Sequence, residues 1–559
     1  MEGRVPRKRY RARAAACGLG FVVLASVILP ATASQAAGVS GAPPAPVATA
    51  LNGKVVLRWS PPSHSGTSPL NQYRVQITQT KKIITVPASH LSTTIGNLVN
   101  GTPYTFTVSS HSAAGWSRPS KASAKVFPTK PNIVMILTDD QRSDSMTQLP
   151  ATNARAWRRY TRSFVDEPMC CPSRAGTLTG RLPTHTNVET NKDGSQLDVS
   201  KTFATMLHQN GYQTAFAGKY LNGYPFGRTG YKPPGWDKFY GMSGPLQYYD
   251  YTLVENGKSV YYGTGDAAYS TDVLRDKIIG ASKAASPARP VLLDFAPNAP
   301  HRAGLLDPTP ARRDVGKCAN TDFPVPPSFN TYDTVSEPTW MAGEPLRDLT
   351  GVHRLEQAMC ETLRGVDTAV TDIFNELARE GRLANTYIVF TSDNGYHFGE
   401  HRLLEKGDLY DESIRVPLLV TGPGVVSGAD ARLTSNIDLA PTFLEWAGVA
   451  PPKNFFDGTS FAAGARGVAK AGPTAVLLRG CRTIAVTGGR GACGGYETDM
   501  GMNWGLRTAT WKYIEYPDGE KQLFDVVSDP YEMTNLAPDP AYASTLVTLH
   551  NRMVAMGGG

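Results

Sequence analysis

Pro131-Asn132-Ile133-Val134-Met135-Ile136-Leu137-Thr138-Asp139-Asp140 is an unbroken apolar run that stops at two carboxylates. A strand that is apolar at every position, not at every second one, has both faces buried, as in a parallel sheet covered by helices on each side. Val291-Leu292-Leu293-Asp294-Phe295, Thr386-Tyr387-Ile388-Val389-Phe390-Thr391 and Val416-Pro417-Leu418-Leu419-Val420 are runs of the same kind. Among them, apolar residues from Leu355 to Leu377 recur at spacings of three and four, the period of a helix. Strands alternating with helices predict an α/β sandwich beginning near residue 130, with its chemistry beyond the carboxyl ends of the strands. Asp139 and Asp140 end one strand, and Asp393 and Asn394 follow another. Together they offer four oxygen ligands, a set suited to Ca²⁺ or, less well, Mg²⁺, and not to zinc.

Upstream the pattern changes. Lys54–Trp59, Tyr73–Ile77 and Tyr104–Val108 alternate apolar and polar residues and are separated by turn clusters, as in a β-sandwich. Residues 45–128 resemble a fibronectin type III domain, with Trp59 at the family's core tryptophan and Leu98 to Tyr104 matching its tyrosine corner. A spacer role is preferred here over glycan binding. A Pro/Ala/Gly/Ser-rich linker, 34–46, precedes it. Residues 1–33 carry Arg4, Arg7, Lys8, Arg9, Arg11 and Arg13, then an apolar stretch from Ala14 to Leu29 and a small-residue end at Ala33 or Ala36. That order reads as a secretory signal peptide, so the mature protein is expected to be exported, with no stable membrane span.

The 559 residues, 41% hydrophobic and 19% charged, allow two to four globular domains and exclude wholesale disorder. The leader accounts for five units of the net charge of +8, leaving +3, which gives no reason to expect a nucleic-acid partner. Export permits disulfides, and Cys481 with Cys493 and Cys318 with Cys360 are possible pairs. The adjacent Cys170 and Cys171 need another explanation.

That explanation lies in Met169-Cys170-Cys171-Pro172-Ser173-Arg174-Ala175-Gly176-Thr177-Leu178-Thr179-Gly180-Arg181. Pro172 suits the first turn of a helix that Gly180 can end, which places residue 170 at a helix N-terminus, where an anion is favoured. The segment resembles the sulfatase signature, Cys-x-Pro-Ser-Arg followed by Leu-Thr-Gly-Arg. The resemblance extends over 130–559 through Gly218-Lys219, Ala299-Pro300-His301, Ser392-Asp393-Asn394-Gly395, Lys406 and Trp511-Lys512-Tyr513-Ile514. It implies an alkaline-phosphatase-like α/β sandwich with a large mixed, mostly parallel sheet and a smaller C-terminal subdomain from about 455 to 559.

The resemblance also implies that Cys170 is oxidised to formylglycine (3-oxoalanine) by a formylglycine-generating enzyme. One oxygen of its hydrate would attack sulfur, and the other would expel sulfate as the aldehyde re-forms. Asp139, Asp140, Asp393, Asn394 and the modified residue 170 would hold Ca²⁺. Arg174 would fix the nucleophile, Lys219 and Lys406 would neutralise sulfate oxygens, and His301 would serve as general acid. His397 is expected to reach the substrate as well.

One departure stands out: the family often has a histidine two residues after the lysine matching Lys219, where this chain has Leu221. Gly-Lys-Tyr-Leu-Asn together with Cys-Cys-Pro-Ser-Arg is similar to the N-acetylglucosamine-6-sulfatase branch, with Asn222 as a substrate contact. The expected activity is therefore that of a secreted sulfuric ester hydrolase acting on a sulfated sugar. The alternatives are a phosphonate monoester or phosphodiester hydrolase of the same superfamily, and an inactive glycan-binding or adhesion protein.

Overall fold

The computed structural model describes residues 38–224, 231–304, 306–333, 336–468, 472–480 and 502–558. The leader and the proposed Cys481–Cys493 pair lie outside them. Cys318 and Cys360 are joined, with an S–S distance of 2.04 Å.

The α/β domain is organised on a ten-stranded sheet, of which five adjacent strands are mutually parallel. In spatial order these are Lys238–Ser243, Gln213–Gly218, Val291–Ala296, Asn132–Thr138 and Thr386–Ser392. Asn132–Thr138 is buried at all seven positions. Ile133, Met135 and Leu137 enter one core with helices Phe203–Gln209 and Leu439–Ala447, while Val134 and Ile136 enter the other with helices Ser270–Ala284 and Leu349–Arg379. This two-sided burial is why the run lacks alternation. The long helix reaches beyond 355–377 because Asp348 caps it, accepting hydrogen bonds from Thr350 and Gly351 N–H.

The run Val416–Val420 differs from its three counterparts. Its strand, Leu418–Thr421, lies antiparallel to both Thr386–Ser392 and Arg158–Phe164. From Ser392 the chain stays at the carboxyl edge of the sheet, through the short helix Asp411–Ile414, before re-entering. With no crossover to carry it back, it can only descend. Hydrophobicity alone carries no information on strand direction.

A second, four-stranded antiparallel sheet, Ala475–Gly480, Asn503–Thr508, Trp511–Glu515 and Lys521–Asp525, packs against helix Ala543–Ala555. Its fully buried Lys512 pairs with Asp411 at 2.6 Å and with Glu532, fastening this subdomain to the loop at the carboxyl edge of the main sheet. At the N-terminal end of the chain, two sheets of three and four strands close over Val55, Leu57, Trp59, Tyr73, Val75 and Phe106. The Val99 N–H donates to the Tyr104 hydroxyl at 3.2 Å, the tyrosine-corner contact.

Candidate active site

Adjacent parallel strands deliver their carboxyl ends side by side. Lys219 leaves Gln213–Gly218, His301 follows Val291–Ala296, Asp139 and Asp140 follow Asn132–Thr138, and Asp393 and Asn394 follow Thr386–Ser392. Gly218 makes the first exit possible: at φ +136°, a Cβ there would meet the Ala296 carbonyl oxygen at 1.8 Å. Asp140 takes the left-handed conformation at φ +66°, uncommon for a residue with a side chain and a cost that the surrounding contacts must hold in place.

Helix Cys170–Thr179 lies against this edge with all ten residues buried. Cys170 is its first residue, and Gly180 closes it at φ +69°, where a Cβ would meet Phe456 at 2.6 Å and Pro441 at 3.0 Å. The Cys170 Sγ is 3.8 Å from Asp139 Oδ1 and 3.2 Å from Lys406 Nζ. Arg174, one turn on, donates from Nε to Asp393 Oδ2 at 2.7 Å and from Nη1 to the Lys219 carbonyl at 2.6 Å, with Nη2 at 3.6 Å from Asp139 Oδ2. Lys219 Nζ is 2.6 Å from Asp139 Oδ2, and Lys406 Nζ is paired with Asp140 Oδ1.

This is a buried alternation of three carboxylates and three cations. Burial opposes ionisation of Asp139, yet Lys219, His301 and Arg174 hold its carboxyl down at about 2. Asp140 is also lowered, by Lys406 and His301 acting against burial. For the same reason Lys219, Lys406 and His301 are raised: the neighbouring aspartates outweigh a burial that favours the neutral base. His301 Nδ1 is 2.6 Å from the Arg302 carbonyl, which can only accept, so Nδ1 carries a hydrogen and Nε2 faces Asp140 Oδ2 at 3.7 Å.

The residues fit a hard divalent cation. Asp139, Asp140, Cys170 and His301 bring ligand atoms within 4.8 Å of one another. Asn394 donates from Nδ2 to Asp140 Oδ1 at 2.7 Å, while its Oδ1 is buried without a hydrogen-bond partner. An orphaned amide oxygen beside carboxylates is the expected condition of an oxygen ligand.

A family model described as Sulfatase matches residues 131–449, and one described as Fibronectin type III domain matches 42–126. The chain belongs to the sulfatase family. It is 35% identical over 357 residues to the N-acetylglucosamine-6-sulfatase of Homo sapiens, covering 59% of this chain and 63% of that protein. It is also 35% identical to the extracellular sulfatase SULF-1 homolog of Drosophila melanogaster, over 63% of this chain and 32% of that one. The chain thus spans less than two thirds of the length of these curated relatives. Among solved structures, one described as a complex with its substrate D-glucosamine-2-N,6-O-disulfate superposes with a TM-score of 0.66 at 23% identity, covering 76% of this chain and 97% of that one. A phosphonate monoester hydrolase of Agrobacterium radiobacter superposes with a TM-score of 0.59 at 20% identity, covering 76% and 95%. At these identities the two structures speak for the fold alone.

Two further expected site residues of this sulfatase-family chain are held by contacts of their own. His397 is fully buried, with Nε2 2.8 Å from Asp408 Oδ1. It sits on a two-stranded ribbon, opposite Glu405, with Nδ1 3.9 Å from Glu400 Oε2, so both ring nitrogens face carboxylates and the ring supports Lys406 at the next position. Asn222, the expected substrate contact, lies beside the nucleophile helix, its backbone carbonyl accepting from the Cys171 thiol at 3.6 Å. Burial pushes the Cys171 thiol up to about 12, which keeps it protonated and inert.

Three supporting residues went unread in the sequence. Asn191 Oδ1 accepts the Cys171 N–H at 2.9 Å, satisfying an otherwise open donor of the helix end. Ser173 donates from Oγ to the Asp393 carbonyl at 2.5 Å, and Asn436 donates to the Ser173 carbonyl at 3.1 Å. Ser173 stands inside the signature and was findable. Asn191 comes from a turn and Asn436 from the start of the short helix Asn436–Asp438, both outside the signature, and neither carries a local signal.

Proposed function

We propose that the chain is a secreted sulfatase that hydrolyses sulfate esters of sugars, of the N-acetylglucosamine-6-sulfatase kind, with residue 170 as formylglycine. The division into a leader (1–33), a sandwich (45–128) and a sulfatase domain (130–559, with its subdomain from about 455) belongs to the same proposal. The observation that carries it is the position of Cys170: first residue of a buried helix, with Lys406 at 3.2 Å and the Asp139 carboxylate at 3.8 Å. A packed core thiol has no use for a charged cluster of that density.

Asp139, Asp140, Asp393 and Asn394 would hold Ca²⁺, with Mg²⁺ the less suitable ion. When bound, it supplies positive charge against the sulfate oxygens and favours the ionised form of the nucleophile. The side chains do the rest. Arg174, anchored on Asp393 and the Lys219 carbonyl, fixes the first turn of the helix and so the direction of residue 170. Lys219 and Lys406, both kept protonated by the aspartates, face charge that grows as the sulfur–oxygen bond breaks. His301, held by the Arg302 carbonyl through Nδ1 and kept protonated by Asp140 and Asp139, presents Nε2–H to the leaving alkoxide of the sugar.

The test compares an aryl sulfate, an aryl phosphonate monoester and a panel of defined sulfated mono- and oligosaccharides, using protein whose Cys170 peptide has lost about 18 Da on thiol-to-aldehyde conversion. Release of sulfate from a 6-sulfated N-acetylglucosamine supports the reading. Preferred turnover of the phosphonate overturns it in favour of the related hydrolases. Full activity from unmodified Cys170 removes the formylglycine mechanism.

A further inference from the structure

The net charge of +8 is unevenly placed. Residues 42–126 hold eight Lys and Arg and not one Asp or Glu, whereas residues 127–559 hold 42 basic against 47 acidic residues, a net of −5. Summing over the whole chain hides this contrast. With no carboxylate inside the sandwich to pair with, its bases act together on whatever approaches.

The edge of the four-stranded sheet concentrates part of that charge. Ser117, Ser120 and Ser123 are three residues apart, yet they bond to Ser110, Val108 and Phe106, which are two apart. Each serine N–H donates to a carbonyl at 2.8–2.9 Å, and each Oγ accepts the N–H of the same residue at 3.0–3.1 Å. Three residues therefore occupy the roughly 6.7 Å that two take on the neighbouring strand, a bulge repeated along the edge. The two residues between successive serines are pushed outward, and all of positions 118, 119, 121, 122, 124 and 125 are exposed. Arg118, Lys121 and Lys125 make half of them basic. Beside them Arg74 lies 4.7 Å from the centre of the Trp116 ring, which holds its guanidinium in place on the same sheet.

The sandwich is attached far from the catalytic edge. Thr129 and Lys130, just after it, accept hydrogen bonds from Asn385 Nδ2 at 3.1–3.3 Å, and Asn385 immediately precedes Thr386–Ser392. The site lies at the other end of that seven-residue strand, roughly 20 Å away. A small ligand cannot span this distance, but a polymer can.

We infer that the 42–126 sandwich is a docking module for a sulfated polysaccharide, with Arg74, Arg118, Lys121 and Lys125 as its contact row. The choice of polymer rests on the sulfated-sugar reading of the active site, since one polyanion then serves both domains. Docking raises the local concentration of ester groups around the site without changing the chemical step.

The experiment measures binding of the full-length protein to an immobilised sulfated glycosaminoglycan across a salt series, alongside the triple variant Arg118→Ser/Lys121→Ser/Lys125→Ser. A control, Lys54→Ser/Arg58→Ser/Lys82→Ser, removes equal charge elsewhere on the sandwich. The slope of log affinity against log salt should fall by about three in the edge variant, roughly one per base removed, and by less in the control. KM on the polymer should rise at least about tenfold, with turnover of a small aryl sulfate unchanged. Equal losses in both triples overturn the contact row. Unchanged binding in both, or displacement of the glycan by a DNA duplex at lower charge concentration, overturns the docking proposal. Binding is read without turnover, so failure of the sulfatase reading would leave this result standing and separately visible.

Discussion

The sandwich and the α/β domain treat charge in opposite ways. Residues 42–126 expose seven of their eight bases to water, Arg74 being half-buried, with no internal counter-charge, while the carboxyl edge of the main sheet encloses Asp139, Asp140, Asp393, Arg174 and Lys219, each at most 3% exposed. Exposed charges cost little to fold and act at a distance that salt shortens to about 10 Å or less. Enclosed charges are expensive, and persist only because each compensates its neighbours, so that removing one strands the others. The sandwich is thus suited to attraction, where many weak contacts add. The sheet edge is suited to chemistry, where a few groups must stay aligned and dry.

If that contrast is right, the largest effects arise at the enclosed edge. Cys170→Ala should abolish turnover of every substrate while leaving thermal unfolding nearly unchanged, because Ala keeps the helix start. Cys171→Ala, one position on, should retain much of it. A variant of Cys170 that still turns over substrate at the wild-type rate would detach the nucleophile from the cluster.

Asp393→Ala should lower kcat at least about a hundredfold. It should also destabilise the fold by about 3–5 kcal/mol, since Arg174 is left buried without its 2.7 Å partner. Steady-state kinetics and denaturant unfolding of the same preparation check both. Added Ca²⁺ should stabilise the wild type against unfolding far more than this variant, and an equal response in the two would exclude Asp393 as a ligand.

A smaller effect is expected at Asp294, whose two carboxylate oxygens are buried without partners. Burial, opposed by Arg174, pushes its carboxyl up to about 8. A folded-state value above the unfolded one means that the contribution to stability is full below about pH 4 and is lost as pH rises through 8. Asp294→Asn removes that loss, so the difference in Tm between variant and wild type should grow in favour of the variant from pH 4 to 8.5. Asp166 and Asp438, each raised to about 7 chiefly by burial, titrate in both proteins and cancel in the difference. A Tm difference that stays constant with pH would show Asp294 to be ionised throughout.

The smallest effect is expected from deleting 34–128. Turnover of a small aryl sulfate should stay within about twofold, because the sandwich joins at the opposite end of the strands and tethering does not alter the barrier. A large fall with normal thermal unfolding would show that the sandwich helps to build the site, and the contrast between the two domains would collapse.

Local pattern was enough for much of this protein. Two-sided hydrophobic runs predicted a covered sheet, alternation predicted the sandwich, and Pro172 with Gly180 bounded the helix that begins at Cys170. Family motifs brought together Asp139, Asp140, Asp393, Asn394, Lys219, His301 and Lys406; the strand order sets all but Lys406 side by side at one edge, and Lys406 reaches Asp140 from the separate two-stranded ribbon. Direction and enclosure were not legible in this way. Leu418–Thr421 runs antiparallel because of where its preceding loop lies, and His397 turns toward Asp408, which the chain brings back beside it eleven residues on. Asn191 reaches the Cys171 N–H from a loop twenty residues on. Each of these depends on which segments meet in space, and a spacing along the chain carries no record of that. The acid-free stretch 42–126 was present in the sequence throughout. The exposed row of Arg118, Lys121 and Lys125 needed the tertiary structure, because only the serine bonds to the neighbouring strand decide which residues of that edge turn outward.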